Sequence, residues 1–74
     1  MTKRNQVGMS RNIAIEVRFD RSIRLWCGVF RHRETQDQIG DAWWGISRDE
    51  VLVYGGMRWM GYGRFIENNE LAAV

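Results

Sequence analysis

Apolar and polar residues alternate along two neighbouring segments in the first half of the chain. In residues 12–19, every second position is apolar, namely Ile13, Ile15, Val17 and Phe19. In residues 23–31, one alternating set is Ile23, Leu25, Cys27 and Val29, and the other is Arg24, Trp26, Gly28 and Phe30. A period of two is typical of half-buried strands, and the Asp20-Arg21-Ser22 segment between them suits a turn. The pattern therefore predicts a β-hairpin.

A helix-start pattern follows in the second half of the chain. Ser47 and Glu50 have the spacing of a capping box. In a capping box, the side chain of each residue accepts a hydrogen bond from the backbone amide of the other. This pattern predicts a short helix over about residues 48–54 that ends at the Gly55-Gly56 pair. A strand through residues 51–54 remains the alternative, because Val and Tyr favour sheets.

The remaining segments complete a small sheet. Residues 31–41 are polar and predict a loop, and residues 42–46 predict a short strand. Residues 57–66 alternate again and predict a last strand that its glycines weaken. Residues 67–74 are expected to be a loose end.

Residues 1–11 differ from the rest of the chain because they show neither a helical nor a strand period. They are basic and polar, which predicts a disordered tail. We therefore expect a flexible basic N-terminal tail over residues 1–11 and a single α+β domain over residues 12–74. That domain is a small antiparallel sheet of about four strands with one short helix.

Composition narrows the class of protein. The chain has 74 residues and a mass of 8.7 kDa, which fits one domain. It has no apolar run long enough for a membrane span, and its single cysteine fits a reducing compartment. We therefore expect no membrane association, and we also expect a monomer.

Charge is distributed unevenly along the chain. Residues 1–33 carry eight basic and two acidic side chains, and residues 34–74 carry three basic and seven acidic ones, so the halves have charges of +6 and −4. Ten of the eleven cations are Arg, which pairs with carboxylates or phosphates and stacks on aromatic rings. A protein with such a separation of positive and negative charge is steered electrostatically toward a charged partner.

The candidates for catalysis or metal binding are weak. One Cys and one His cannot form a tetrahedral zinc site. Cys27 and His32 are five positions apart, so they point to opposite faces of an extended strand and make a poor nucleophile–base pair. We therefore expect no enzymatic activity, no catalytic residue, no metal, no cofactor and no small-molecule substrate.

The four Trp residues are the clearest remaining signal in this short chain. Trp43 and Trp44 are adjacent, so on a strand they face opposite ways and at least one is expected to be partly exposed. An exposed Trp beside Arg marks either an interface hot spot or a base-stacking platform. Trp43, Trp44 and Arg58 are therefore a candidate secondary contact surface. The alternative is that the rings only close a thin sheet.

Together, the basic start, the length and the small β-rich body resemble a family of phage-encoded transcription regulators. These proteins bind the RNA polymerase of the bacterial host. The resemblance covers the whole chain and includes the segment Lys3-Arg4-Asn5-Gln6-Val7-Gly8-Met9-Ser10-Arg11. It implies binding to the N-terminal region of the β′ subunit, inhibition of initiation by displacement of the σ factor, and suppression of intrinsic termination. It also implies a location in the cytoplasm of the infected bacterium.

The resemblance places the partner contact on the tail and the first predicted strand. The residues that it transfers are Lys3, Arg4, Val7, Met9, Arg11 and Ile13. Val7 and Met9 would serve as apolar anchors, and the basic residues would pair with carboxylates of the partner. The alternative function is a small protein that binds single-stranded nucleic acid through Arg and Trp.

Overall fold

The computed structural model describes the backbone of residues 6–72 and the surroundings of the side chains of residues 6–61 and of residue 63. Four strands precede a single helix in the chain. The elements are β1 (Gln6–Gly8), β2 (Ile13–Asp20), β3 (Leu25–His32), β4 (Gln38–Gly45) and α1 (Arg48–Ala72). The strands form one antiparallel sheet in the order β1-β2-β3-β4. The predicted α+β class and antiparallel sheet are confirmed.

The predicted hairpin is the pair β2–β3. Its register places Ile15 opposite Phe30 and Phe19 opposite Trp26. In the turn, the backbone amide and the hydroxyl of Ser22 both donate to Oδ1 of Asp20, at 2.9 and 2.6 Å. These hydrogen bonds favour the carboxylate and lower the pKa of Asp20.

Helix α1 covers one face of the sheet and closes the core there. The residues of this core are Ile13, Ile15 and Val17 from β2, Phe30 from β3, Trp43 from β4 and Val51 from α1. The apolar face predicted for β2 is thus buried except at Phe19, which is 47% exposed. At that end β2 has a neighbour on one side only, because β1 pairs with residues 14–16, and Phe19 packs edge-to-face on Trp26 of β3 with 5.5 Å between the ring centroids.

The helix begins where the capping pattern predicts. The amide of Glu50 donates to Oγ of Ser47 at 3.1 Å, and α1 starts at Arg48. Residues 51–54 are therefore helical, and the strand alternative is wrong. Among the described residues no helix is long and apolar enough to cross a membrane.

The predicted end of the helix and the predicted last strand are wrong. Helix α1 continues through Gly55 and Gly56 and includes all of residues 57–66, so it has 25 residues. A Cβ atom added at Gly55 would lie 2.5 Å from Cδ1 of Ile15 and 2.8 Å from Cζ2 of Trp43. Gly55 therefore lets the helix approach the sheet closely, and this packing overrides the low helix propensity of glycine. The loose end predicted for residues 67–74 is helical as far as residue 72, and residues 73–74 lie outside the described residues.

The predicted N-terminal tail is too long. Residues 6–8 form β1, in which Val7 lies opposite Ile15. The amides of Met9 and Ser10 then donate to the carbonyl oxygen of Ile13 at 2.9 and 3.1 Å. The fourth strand of the sheet therefore comes from the predicted tail and not from residues 57–66. Residues 1–5 lie outside the described residues.

Candidate functional site

The predicted N-terminal contact residues have different environments. Lys3 and Arg4 lie outside the described residues. Val7 is half-buried in β1, and Met9 packs against the core. Ile13 is fully buried in the core, so its side chain is not accessible to a partner in this structure.

Basic side chains surround the β1–β2 connection. Arg11 is exposed beside this connection, and Arg33 is exposed at the end of β3. Nη1 of Arg33 donates to the carbonyl oxygen of Ser10 at 3.1 Å, which holds its guanidinium group against the connection. We call β1 together with Arg11 and Arg33 the β1 edge. Its exposed charged side chains, Arg11 and Arg33, are cationic.

A groove of about 550 Å³ runs between β4 and α1 at the opposite edge of the sheet. We call it the β4–α1 groove. Its lining residues are Ala42, Trp43 and Trp44 from β4, and Tyr54, Met57 and Arg58 from α1. The structure thus brings together the three residues that the sequence analysis assigned to a secondary contact surface.

Trp43 is a buried part of the groove lining. Its side chain is 3% exposed, and its indole Nε1 donates to the carbonyl oxygen of Val51 at 2.9 Å. Its ring packs against Phe30, with 5.0 Å between the ring centroids. The guanidinium carbon of Arg58 lies 5.3 Å from the centroid of the Trp43 ring, which is a cation–π distance. These contacts hold the Trp43 ring in place, so this part of the groove wall is also part of the core.

Trp44 faces the opposite side of the sheet from Trp43, and its side chain is 49% exposed. The prediction that one of the two adjacent Trp residues is partly exposed is confirmed. Tyr54 and Met57 are also exposed on the helix side of the groove. An aromatic and thioether surface of this kind binds apolar side chains of many shapes.

Arg58 is the charged residue of the groove lining, and Glu50 lies close to the groove residue Tyr54. Oε1 of Glu50 accepts from the amide of Ile46 at 3.5 Å, and its carboxylate also accepts from the hydroxyl of Tyr54. That hydrogen bond, together with the negative charge of Glu50, raises the pKa of Tyr54. Among the described side chains the ion pair is Glu16 with Arg31, so the exposed guanidinium of Arg58 has no carboxylate partner there.

The sequence analysis missed Tyr54 and Met57. Tyr54, Met57 and Arg58 have the spacing of residues that share one face of a helix. This signal was present in the sequence, but the prediction of a strand from residue 57 assigned Met57 and Arg58 to opposite faces of that strand. Only a continuous helix places all three beside β4.

The opposite face of the sheet is polar around Cys27. Nε of Arg31 lies 3.0 Å from Oε1 of Glu16, and both residues line a smaller hollow with Cys27. Burial raises the pKa of the Cys27 thiol, which disfavours the nucleophilic thiolate. In the described part of the chain, no group of three or more His, Cys, Asp or Glu residues is placed to hold a metal ion.

The composition of the β4–α1 groove is typical of protein-binding surfaces, in which Trp, Tyr and Arg make the largest contributions to affinity. No protein-family model, curated protein or solved structure matches this chain. The groove and the β1 edge are the two candidate contact surfaces among the described residues.

Proposed function

We propose that this protein is a non-enzymatic, phage-encoded regulator that binds the RNA polymerase of its bacterial host. The observation that carries the proposal is the β4–α1 groove, because it places Trp44, Tyr54 and Arg58 around one hollow. The partner itself is taken from the sequence resemblance. In this proposal the protein binds the N-terminal region of the β′ subunit, displaces the σ factor and suppresses intrinsic termination in the host cytoplasm.

Two surfaces share the binding in this proposal. The β4–α1 groove takes up an apolar side chain of the polymerase, and the β1 edge contributes Arg11 and the basic residues that precede Gln6. The surfaces lie at opposite edges of the sheet, because β1 and β4 are its outer strands. Contacts at both edges increase the total affinity, since the second contact forms within an existing complex.

Binding and transcription are tested with purified components. The protein is added to the host core polymerase and to the σ-containing holoenzyme, and complex formation and σ release are measured. Transcription from a σ-dependent promoter and read-through of an intrinsic terminator are then measured in the same mixture. We expect σ release, reduced initiation and increased read-through. An unchanged holoenzyme with normal initiation would contradict the proposal.

The groove is tested with a matched pair of variants. Trp44 and Ile23 are 49% and 50% exposed, but only Trp44 lines the groove. We expect Trp44→Ala to weaken polymerase binding about 30-fold, the effect of a hot spot worth about 2 kcal/mol. Ile23→Ala should leave binding nearly unchanged. Equal effects of the two substitutions would remove the groove from the interface.

The basic N-terminus is tested with a second pair of variants. Arg4→Glu should weaken polymerase binding much more than Arg21→Glu, because Arg21 is an exposed residue of the β2–β3 turn with no role in either surface. Circular dichroism of both variants serves as the control for folding. Equal losses of affinity would contradict a specific role for Arg4.

Binding of single-stranded nucleic acid is the alternative function. The observation that favours it is the exposed indole of Trp44, since bases stack on aromatic rings. A salt titration separates the two functions. Nucleic-acid binding falls steeply with salt because counterions are released, whereas polymerase binding through an apolar groove should depend less on salt. Tight, strongly salt-dependent binding of an oligonucleotide would favour the alternative.

A further inference from the structure

Strand β4 exposes a backbone edge beside the groove. It pairs with β3 on one side, and no described strand lies on its other side. Its first half is irregular, because Gly40 has a φ of 72° and the pairing register shifts between Gly28 and Phe30. The second half pairs regularly, with Trp43, Trp44 and Gly45 opposite consecutive residues of β3. Such a regular edge is a template for another strand.

Helix α1 adds side chains beside the backbone edge of β4. Tyr54 and Met57 of α1 form a groove with the β4 residues Trp43 and Trp44, which lie on the regular half of the strand. Side chains of a strand alternate between its two faces. A strand added beside residues 42–45 would therefore direct every second side chain toward the helix side of the sheet, where the groove can hold an apolar group.

The charge of the groove selects among such strands. Arg58 lies over the ring of Trp43, and its guanidinium has no carboxylate partner among the described side chains. Among the residues that line the groove, Arg58 is the charged one. A partner segment with an acidic residue near its apolar side chain would therefore complement the groove.

We infer that the edge of β4 binds an extended segment of a partner protein as a fifth strand, with an apolar side chain in the groove and a carboxylate paired with Arg58. Backbone hydrogen bonds provide part of the affinity in this recognition mode, and the groove provides specificity. The inference rests on the groove being a contact surface, as in the proposed function. It does not require the partner to be RNA polymerase.

A second copy of the chain is the competing occupant. Two identical edges that pair about a twofold axis bring the same surfaces into one interface. Such a dimer would bring two Arg58 cations into that interface, whereas an acidic segment would pair with the single Arg58 of the groove lining. The charge therefore favours a different, acidic strand over a second copy.

The probe for this inference is a blocked peptide, acetyl-Lys-Thr-Phe-Thr-Asp-Thr-Val-Lys-amide. In an extended conformation its Phe, Asp and Val side chains lie on one face. Binding to the full chain is measured by amide chemical shifts and hydrogen exchange. We expect shifts and slower exchange in residues 42–45 and shifts in Tyr54 and Met57. No change at these residues at the solubility limit of the peptide would overturn the inference.

Two control peptides isolate the contributions of backbone and charge. The first is N-methylated at alternate residues, so it keeps the side chains but loses backbone donors, and it should not bind. The second has Lys in place of Asp, and it should bind about tenfold more weakly, since it loses one charge pair worth about 1.4 kcal/mol. Equal binding of the methylated peptide would show side-chain capture without strand addition and would overturn the inference.

Matched variants of the protein complete the test. Arg58→Glu should weaken the Asp peptide about tenfold and strengthen the Lys peptide, while Arg21→Glu should change neither. Concentration-dependent protection of residues 42–45 without any peptide would identify the second copy as the occupant and overturn the inference. Peptide binding at β4 combined with normal initiation by the holoenzyme would refute the proposed function alone. Polymerase binding without peptide binding would refute the strand addition alone.

Discussion

The two edges of the sheet differ in length and in chemistry. Strand β1 has three residues, of which Val7 is half-buried, and Met9 next to it packs against the core. Strand β4 has eight residues, and its edge adjoins a groove with an exposed Trp44. A short strand offers few backbone groups to a partner, so in the proposed function the β1 edge contributes mainly charge. The longer edge offers backbone, aromatic surface and one cation together.

This difference changes the relative importance of the two surfaces. The sequence analysis placed the main contact at the N-terminus and the secondary contact at Trp43, Trp44 and Arg58. In the described part of the chain, the secondary surface has the groove, whereas Ile13 of the main surface is buried. The conformation of the β4 edge depends on the packing of Trp43 against the core. Four measurements test this comparison between the two edges of the sheet.

Truncation of Trp43 should have the largest effect. Trp43→Ala removes the hydrogen bond to Val51 and the packing against Phe30, and such a core truncation costs about 3–5 kcal/mol. A domain of this size has only about 3–5 kcal/mol of stability, so we expect unfolding at 25 °C, measured by urea titration and circular dichroism. Trp44→Ala is the control and should remain folded. A stable Trp43→Ala protein would show that the β4 edge does not depend on this ring.

Adjacent glycines of α1 should respond in opposite directions. Gly55→Ala places a methyl group against the rigid ring of Trp43 and should lower the free energy of unfolding by about 1–3 kcal/mol. Gly56 has no atom within 4 Å of an added Cβ, so Gly56→Ala should raise that free energy by about 0.5–1 kcal/mol. Urea denaturation measures both. The same sign for the two variants would contradict the close approach of helix and sheet at Gly55.

Truncation of the N-terminus should have a smaller effect on stability. Removal of residues 1–11 deletes β1 and the partly buried Val7 and Met9, and we expect a loss of about 1–2 kcal/mol because ordering entropy offsets part of the burial. Removal of residues 1–5 should change stability by less than about 0.5 kcal/mol. Thermal denaturation compares the two. If both truncations have the same stability, β1 contributes nothing to the sheet.

The titration of Tyr54 is the smallest expected effect. The carboxylate of Glu50 raises the pKa of Tyr54, so Glu50→Gln should lower that pKa. Because the folded pKa is raised, the contribution to stability is present below the unfolded pKa of tyrosine and is lost as pH rises through the folded value. Phenolate absorbance measures the titration, and Tyr54→Phe identifies its component. An unchanged pKa in Glu50→Gln would place the Tyr54 hydroxyl away from the Glu50 carboxylate.

Local patterns were sufficient where the neighbours in the chain are also the neighbours in space. The alternation from Ile13 to Val17 predicted β2 and its buried face, and the turn at Asp20 joined β2 to β3. The Ser47 cap predicted the start of α1 for the same reason, since a cap involves only residues within one turn. For the candidate site, adjacency of Trp43 and Trp44 was enough to predict that one ring is exposed.

The rest depended on contacts between distant segments. Apolar and polar residues alternate over residues 57–66, which is typical of a strand. The helix nevertheless continues through that region, because Gly55 packs closely on Ile15 and Trp43. The three residues of β1 are too few to show a period, and they become a strand because β2 offers an open edge. The groove exists only because the helix continues past Gly55 and brings Met57 and Arg58 beside β4.

Sequence alone determined the hairpin, the helix start and the presence of exposed aromatic and basic chemistry, because these properties follow from local periodicity and composition. Tertiary structure decided which segment became the fourth strand, how far the helix extends and which side chains surround the groove. These outcomes depend on the free energy gained when residues that are far apart in the chain are buried together. The free-energy differences due to local helix and strand propensity are too small to outweigh that gain.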